Sequence, residues 1–318
     1  MTISSNHYYY FATLTIVLLI VPSDAQLSST FYDITCADAL STIRLNITRA
    51  VANEQRMAAS LIRLHFLDCF VQGCDASILL EDESGERAAV QNANSVRGFE
   101  VVEAAKQAVE AICPGVVSCA DVLAVAARDA TVAAGGPSWI VNLGRRDSPL
   151  AATIDVAEND LPRGNDPLQT LITKFANKNL NQTHMVALSG AKTIGQARCV
   201  TFRDRIYNTQ GLDPEFVRMR QSDCPQTGGD DNLAPLDEVT PTDFDNNYFR
   251  NLQRGRGLLE SDQVLFSQQL TNSIAQEYIN SADRFKLDFA AAMIRMGDIQ
   301  PLTGANGLIR STCASSNN

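Results

Sequence analysis

Apolar residues recur at helical spacing along most of the chain. Between residues 97 and 112, six apolar side chains fall on one stripe with a period of about 3.6 residues, which predicts an amphipathic helix. The same pattern predicts six further helices, whereas strand-like alternation is scarce. These six cover residues 37–53, 56–69, 118–131, 167–178, 244–252 and 282–296. The chain is therefore predicted to be all-α.

Glycine and proline mark where these helices are interrupted. Gly135-Gly136-Pro137 predicts a loop, and so does the polar stretch 159–167, which contains two prolines. The second stretch is the best candidate for a boundary between two lobes.

The N-terminus has the layout of a secretory signal. An apolar run over residues 8–21 is followed by Ser23-Asp24-Ala25, a small-residue cleavage site before Gln26. A membrane anchor is the alternative, but the run is shorter than the roughly 20 residues that span a bilayer. We predict that residues 1–25 are removed and that the rest is secreted.

The acidic composition argues against two classes of partner. A formal net charge of −10 gives the chain no electrostatic reason to bind nucleic acid or an anionic membrane, so neither is expected after the signal is cleaved. Asn46-Ile-Thr and Asn181-Gln-Thr are sequons for glycosylation and are expected at the surface.

Eight cysteines behind a signal sequence indicate disulfides rather than free thiols. A bridge between Cys69 and Cys74 would close a short local loop, but spacing alone leaves the other pairings open.

Two long motifs identify a family. Residues 63–80 read RLHFLDCFVQGCDASILL, and residues 187–199 read ALSGAKTIGQARC. Together with GFEVVEAAK, VSCADVLAVAARD, GGPSW, LGRRD, FDNNYF and GLLESDQVLF, they resemble the plant secretory (class III) haem peroxidases from Gln26 to Cys313.

The resemblance implies a monomeric, two-lobed helical fold with haem b between the lobes, located in the apoplast or cell wall. The single domain would cover residues 26–318. Its distal lobe would cover about 26–165 plus the C-terminal segment, and its proximal lobe about 166–295. The implied disulfides are Cys36–Cys113, Cys69–Cys74, Cys119–Cys313 and Cys199–Cys224.

The resemblance also implies two calcium ions, one in each lobe. Both stretches supply the closely spaced carboxylates and hydroxyls that suit a hard cation, although loop acids that cap helices or face water would look the same. The distal ligands would be Asp68, the carbonyls of Val71 and Gly73, Asp75 and Ser77. The proximal ligands would be Thr193, Asp237, Thr240, Asp243 and Asp245.

On the distal side, Leu67 stands where relatives have a histidine. That histidine moves a proton between the two oxygens of hydrogen peroxide, and leucine has no ionisable group with which to do so. Arg63 remains and could stabilise charge that develops on oxygen. Asn92 and Glu86 match the network that orients the missing imidazole. His65 is expected to face away from the haem and to pack in the core, because it lies about 200° round the helix from Leu67.

On the proximal side, Lys192 stands where relatives have the histidine that binds the iron. Only a neutral amine can bind a metal, and Asp262, which matches the carboxylate partner of that histidine, favours the ammonium form. We therefore predict a Lys192–Asp262 ion pair rather than an iron ligand. His184, eight residues earlier, is too far away to substitute.

Three functions follow as hypotheses. The first is a catalytically impaired or inactive pseudo-peroxidase that holds calcium and binds a small phenolic ligand or a cell-wall polymer. The second is a haem peroxidase that oxidises phenolic donors with hydrogen peroxide, with Pro162 at the substrate edge. The third is a non-catalytic cell-wall interaction protein.

Overall fold

Helices form most of the structure, as the apolar periodicity predicts. The computed structural model describes residues 27–316. Within this range there are thirteen α-helices and several short 3-10 turns. The helices are α1 (Ala39–Asn53), α2 (Met57–Phe70), α3 (Phe99–Glu110), α4 (Cys119–Ala133), α5 (Ile154–Asp160), α6 (Leu168–Asn177), α7 (Gln182–Ser189), α8 (Arg203–Asn208), α9 (Pro214–Asp223), α10 (Asn247–Gln253), α11 (Glu260–Gln263), α12 (Gln269–Asn280) and α13 (Ala282–Gly297).

All seven predicted helices are present, with ends shifted by a few residues. The remaining six, which the periodicity did not reveal, are α5, α7, α8, α9, α11 and α12. The all-α prediction is confirmed.

Helix α4 is buried along nearly its whole length. Every residue from Cys119 to Thr131 is buried. Alanine makes up much of this segment, so neighbouring helices can approach closely on all sides. The helix begins at Ser118, whose Oγ accepts a hydrogen bond from the Asp121 amide at 3.2 Å.

The helices pack in two sets that meet at α2. In the first set, α1, α2 and α3 contact α4. In the second, α7 contacts α6, α12 and α13, and α10 contacts α12. Helix α2 contacts α13 and the 3-10 turn Gly190–Thr193, so it lies between the sets. The lobe boundaries proposed from the sequence stay a prediction.

Strands are short. β1 (Arg145–Arg146) pairs antiparallel with β4 (Leu302–Thr303), and β2 (Gln196–Arg198) pairs antiparallel with β3 (Leu233–Pro235). The first pair joins the middle of the chain to its C-terminal segment.

Four disulfides join the pairs that the resemblance implies. They link Cys36 to Cys113, Cys69 to Cys74, Cys119 to Cys313, and Cys199 to Cys224. The Cys119–Cys313 bridge fixes the C-terminal segment to the start of α4.

The signal proposed for residues 1–25 lies outside the described residues. Among residues 27–316, no helix has the length and apolar character needed to cross a bilayer.

Candidate functional site

Lys192 and Asp262 form a close ion pair. Lys192 lies in the 3-10 turn after α7, and its Nζ is 2.5 Å from Asp262 Oδ1. The Asp262 side chain is fully buried, whereas 31% of the Lys192 side chain is exposed. Asp262 also accepts hydrogen bonds from the Tyr248 hydroxyl at 3.1 Å and from the Leu259 amide at 3.0 Å. Donors therefore surround this carboxylate.

The geometry bears directly on metal binding by Lys192. An amine that donates to a buried carboxylate is favoured as the ammonium, which has no lone pair to offer a metal. As they stand, Lys192 and Asp262 do not fit the roles of iron ligand and carboxylate partner that the family resemblance implies. Burial, followed by the charge of Asp262, also raises the pKa of the Tyr248 hydroxyl, so Tyr248 stays a neutral donor.

Arg63 and Leu67 lie one turn apart on α2. Leu67 is buried. Arg63 is open to solvent although protein surrounds it closely, as the resemblance predicts for a residue that lines the haem cleft between the lobes. Burial lowers the pKa of Arg63 to about 10, so it remains a cation at neutral pH. It donates to the Gln91 carbonyl at 2.7 Å and to the Ser95 Oγ at 3.0 Å, which fixes its position.

Asn92 is buried beside this cleft, and only the NH2 group of its side-chain amide makes a hydrogen bond. Its Nδ2 donates to the Glu86 carbonyl at 2.9 Å. Its Oδ1 is buried and has no hydrogen-bond partner among residues 27–316. Buried amide oxygens are normally satisfied, so this oxygen fits a position from which a donor has been lost.

The predicted distal calcium ligands supply buried carboxylate oxygens that lack donors. Both carboxylate oxygens of Asp68 and the Ser77 Oγ are buried without a partner in the described part of the chain. Burial, with the neighbouring charges of Asp75 and Glu86, raises the pKa of Asp68. Burial also raises the pKa of Asp75 to about 6 and that of Glu86 to about 8. A divalent cation would neutralise these acids and satisfy the orphaned oxygens.

The backbone between these acids has a conformation that only glycine adopts easily. Gly73 has φ +123°, and a Cβ there would lie 2.4 Å from the Gln300 carbonyl oxygen. Gly73 and Val71 belong to the loop that the Cys69–Cys74 bridge closes. The loop is thereby fixed against the C-terminal end of α2, beside Asp68.

Four of the five predicted proximal calcium ligands come together. Thr193 Oγ1 lies 3.0 Å from both Asp237 Oδ2 and Asp245 Oδ1. Thr240 Oγ1 lies 2.8 Å from Asp245 Oδ2. A hydroxyl has only one proton, so Thr193 cannot donate to both carboxylates at once, and a bound cation would account for the second short contact. Asp243, the fifth, is exposed, and its amide donates to the Thr240 carbonyl at 3.2 Å.

Among the remaining histidines, His65 lies beside the distal ligands, with a ring nitrogen within 4.8 Å of Asp68 and Cys69. His65 is buried in the core, and burial lowers its pKa to about 3, so it is neutral. His184 takes part in the N-terminal capping box of α7 with Asn181. Pro162 is half-buried in the loop after α5.

The sequence reasoning missed two features of the site. Tyr248 lies within the FDNNYF motif, yet nothing in the sequence alone shows its contact with Asp262. Gln91 and Ser95 hold Arg63 through a backbone carbonyl and a hydroxyl, which have no recognisable sequence signal.

Comparison with known proteins gives a consistent result. The sequence profile of the family described as "Peroxidase" matches residues 43–281. A lignin-forming anionic peroxidase of Nicotiana sylvestris is 61% identical over 297 residues, covering 92% of each chain. A basic peroxidase of Zinnia elegans is 58% identical over 291 residues, covering 91% of this chain and 90% of the relative. Peroxidase P7 of Brassica rapa is 52% identical and is covered along its whole length.

Proposed function

The chain belongs to the plant class III peroxidase family, and from that premise we propose that it is a secreted, hydrogen-peroxide-dependent oxidoreductase with strongly reduced turnover. The names of its relatives favour the peroxidase hypothesis over the inactive pseudo-peroxidase as the general class of function. The residues at positions 67 and 192 support the reduction in rate. The substrate class that we propose is a phenolic donor.

One observation carries the proposed impairment on the proximal side, namely the 2.5 Å contact between Lys192 Nζ and Asp262 Oδ1. Haem, when bound, supplies the redox centre of the family's reaction. In this chain, haem would be held by contacts with the residues of the cleft and not by a bond from residue 192. We therefore expect weak haem occupancy.

On the distal side, Arg63 can stabilise negative charge on a bound peroxide, but Leu67 cannot accept or return a proton. Loss of a positioned acid–base group typically costs about 10²–10⁴ in rate. The unsatisfied Asn92 Oδ1 supports this interpretation, because the family resemblance assigns Asn92 to the network that orients an imidazole at position 67.

Calcium is part of the same proposal. A distal site is supported by the buried oxygens of Asp68 and Ser77 that have no hydrogen-bond partner within residues 27–316. A proximal site is supported by the short oxygen–oxygen distances from Thr193 to Asp237 and Asp245. Family membership also leads us to propose that this chain binds haem b and two calcium ions. We further propose that it is a monomer and is located in the apoplast or cell wall.

The test restores one histidine at a time. The wild type, Leu67→His, Lys192→His and the double variant are supplied with haem, and the Soret band and phenol oxidation by peroxide are measured. We expect Lys192→His to raise haem occupancy. The double variant should exceed the wild-type turnover by about 10² or more. Leu270→His, on an exposed position of α12, is the matched control and should change neither property.

Wild-type turnover within tenfold of the double variant would contradict the proposed impairment. The ion pair between Lys192 and Asp262 also supports a second candidate, a cell-wall protein without turnover. That candidate gains support if the double variant is active while the wild type neither takes up haem nor oxidises the phenol.

A further inference from the structure

A second concavity lies in the N-terminal half of the molecule. It has a volume of about 410 Å³ and is open to solvent. Among its lining residues are Leu40 of α1, Arg128 of α4, and Ser138, Trp139, Ile140 and Val141 of the segment before β1. None of Arg63, Leu67, Lys192 and Asp262 lines it, so it is separate from the cleft described above.

Most of the pocket wall is apolar. Leu40, Trp139, Ile140 and Val141 contribute aliphatic and aromatic surface, and Ile140 is 66% exposed at the pocket. The volume is within the range of small-molecule sites. An indole beside branched aliphatic side chains suits a flat aromatic ring. These walls predict an apolar body for the ligand but do not determine its charge.

Arg128 supplies the charged group of the pocket. It is 7% exposed, its Nε lies 2.5 Å from Asp129 Oδ1, and its Nη1 donates to the Trp139 carbonyl at 3.4 Å. Its Nη2 is buried and has no hydrogen-bond partner anywhere in residues 27–316. A buried guanidinium N–H without an acceptor is costly, and a carboxylate is its strongest partner.

The local charge also favours an anion. Arg44 Nε lies 3.4 Å from the same Asp129 Oδ1 that binds Arg128, so two guanidinium groups share one carboxylate. Asp129 Oδ2 is buried without a donor as well, but Asp129 does not line the pocket. Two guanidinium groups and one carboxylate leave a net positive charge beside the pocket.

We propose that this pocket binds a small aromatic carboxylate. The ring lies against Trp139 and Ile140, and the carboxylate pairs with the Arg128 guanidinium, which lines the pocket. The site is independent of haem and of the proposed peroxidase reaction.

Trp139 makes the test specific, because it is the single tryptophan of the chain. The protein is titrated with phenylacetate and with 2-phenylethanol, which has a similar size and no charge. Tryptophan emission reports binding at the site, and calorimetry gives the affinity. We expect a saturable response to phenylacetate and binding of the alcohol that is weaker by about tenfold or more. Equal affinity for the two compounds, or no saturable response to phenylacetate, would overturn the proposal.

Variants assign the response to this pocket. Arg128→Gln should weaken phenylacetate binding by about tenfold or more. Because Arg128 is buried, Ile140→Glu provides a second variant at an exposed position, where a negative charge should repel the carboxylate equally strongly while the melting temperature stays unchanged. Leu150→Glu is the matched control, since Leu150 is 74% exposed and does not line the pocket. If Ile140→Glu bound phenylacetate as tightly as Leu150→Glu does, the proposed site would be wrong.

Discussion

Replacement of Lys192 would change the stability of the fold as well as the chemistry of the site. Asp262 is fully buried, and Lys192 is the cation in contact with it. Lys192→Met would leave a buried carboxylate whose remaining partners are the Tyr248 hydroxyl and the Leu259 amide. We expect a loss of about 1–3 kcal/mol in the free energy of unfolding, which urea denaturation would measure.

A double-mutant cycle separates this loss from the loss of packing. Asp262→Asn removes the charge and keeps the shape, so Lys192→Met should cost much less in that background. If Lys192→Met destabilised both backgrounds equally, the ion pair would contribute nothing and the cost would come from packing alone.

The two glycosylation sequons lie in different local structures. Asn46 is half-buried within α1, and its Nδ2, the atom that would carry a glycan, donates to the Thr42 carbonyl at 2.9 Å. Asn181 is exposed at the start of α7, and its capping bond to the His184 amide uses Oδ1. The expectation that both sequons lie at the surface is therefore only partly met, because Asn46 is half-buried.

We predict preferential glycosylation at Asn181 when the protein is secreted from plant cells. Peptide mapping should find the glycan on Asn181 at much higher occupancy than on Asn46. Asn181→Gln should remove most of the glycan mass, and Asn46→Gln should remove little. Equal occupancy at the two positions would contradict the argument from Nδ2 bonding.

Individual site residues could be predicted only where they belong to a recognisable motif. The sequence places Arg63, Leu67 and Lys192 within motifs, so their importance could be inferred. The unsatisfied Oδ1 of Asn92 and the contact of Tyr248 with Asp262 depend on positions in space. The spacing of residues along the chain does not show which side chains meet in space.

Among the helices, apolar periodicity was informative when the buried side chains were apolar. In α3 the buried stripe includes Val102, Ala105 and Val109, which is easily recognised. In α12 the buried positions are Thr271, Ala275 and Tyr278, which are polar, small or amphipathic. Both helices have a buried stripe, but the stripe of α12 is not mainly apolar, so apolar periodicity does not reveal it.

The capping of α4 gives a prediction for a single helix. Ser118 is buried, and its Oγ accepts from the Asp121 amide, so Ser118→Ala would leave that amide without its cap. We expect a cost of about 1 kcal/mol, measured by thermal or urea unfolding. Ser41→Ala is the control, because Ser41 is exposed on α1 and bonds only to the Asp38 carbonyl. Equal effects of the two substitutions would show that the cap contributes nothing.

For the molecule as a whole, Asp147 joins distant segments at the same end of α4. Its carboxylate accepts from the Cys119 and Ala120 amides at 3.1 and 2.9 Å and from the Arg310 amide at 2.9 Å. The Cys119–Cys313 bridge acts at the same place. A carboxylate at a helix N-terminus is favourable, and here it also secures the C-terminal segment. The LGRRD motif contains Asp147, but its partner at position 310 could not be inferred from the sequence.

The proposed calcium ions give a prediction about the stability of the whole molecule. A ligand that binds only the folded state stabilises it by about 2–4 kcal/mol when present at roughly 100–1,000 times its dissociation constant. Chelation should therefore lower the melting temperature of the wild type, and calcium should restore it. Magnesium should do so less well, because it requires a tighter octahedral set of ligands.

Asp68→Asn distinguishes calcium binding from a general effect of the chelator. With calcium present, the variant should be less stable than the wild type, because it has lost a charged ligand whose two oxygens have no donor within residues 27–316. With chelator, the order should reverse, since the wild type then keeps an uncompensated buried carboxylate beside Asp75 and Glu86. Asp33→Asn is the matched control, because Asp33 is exposed, belongs to neither proposed set of ligands and should not reverse the order. A variant less stable than the wild type under both conditions would mean that Asp68 stabilises the fold without a cation.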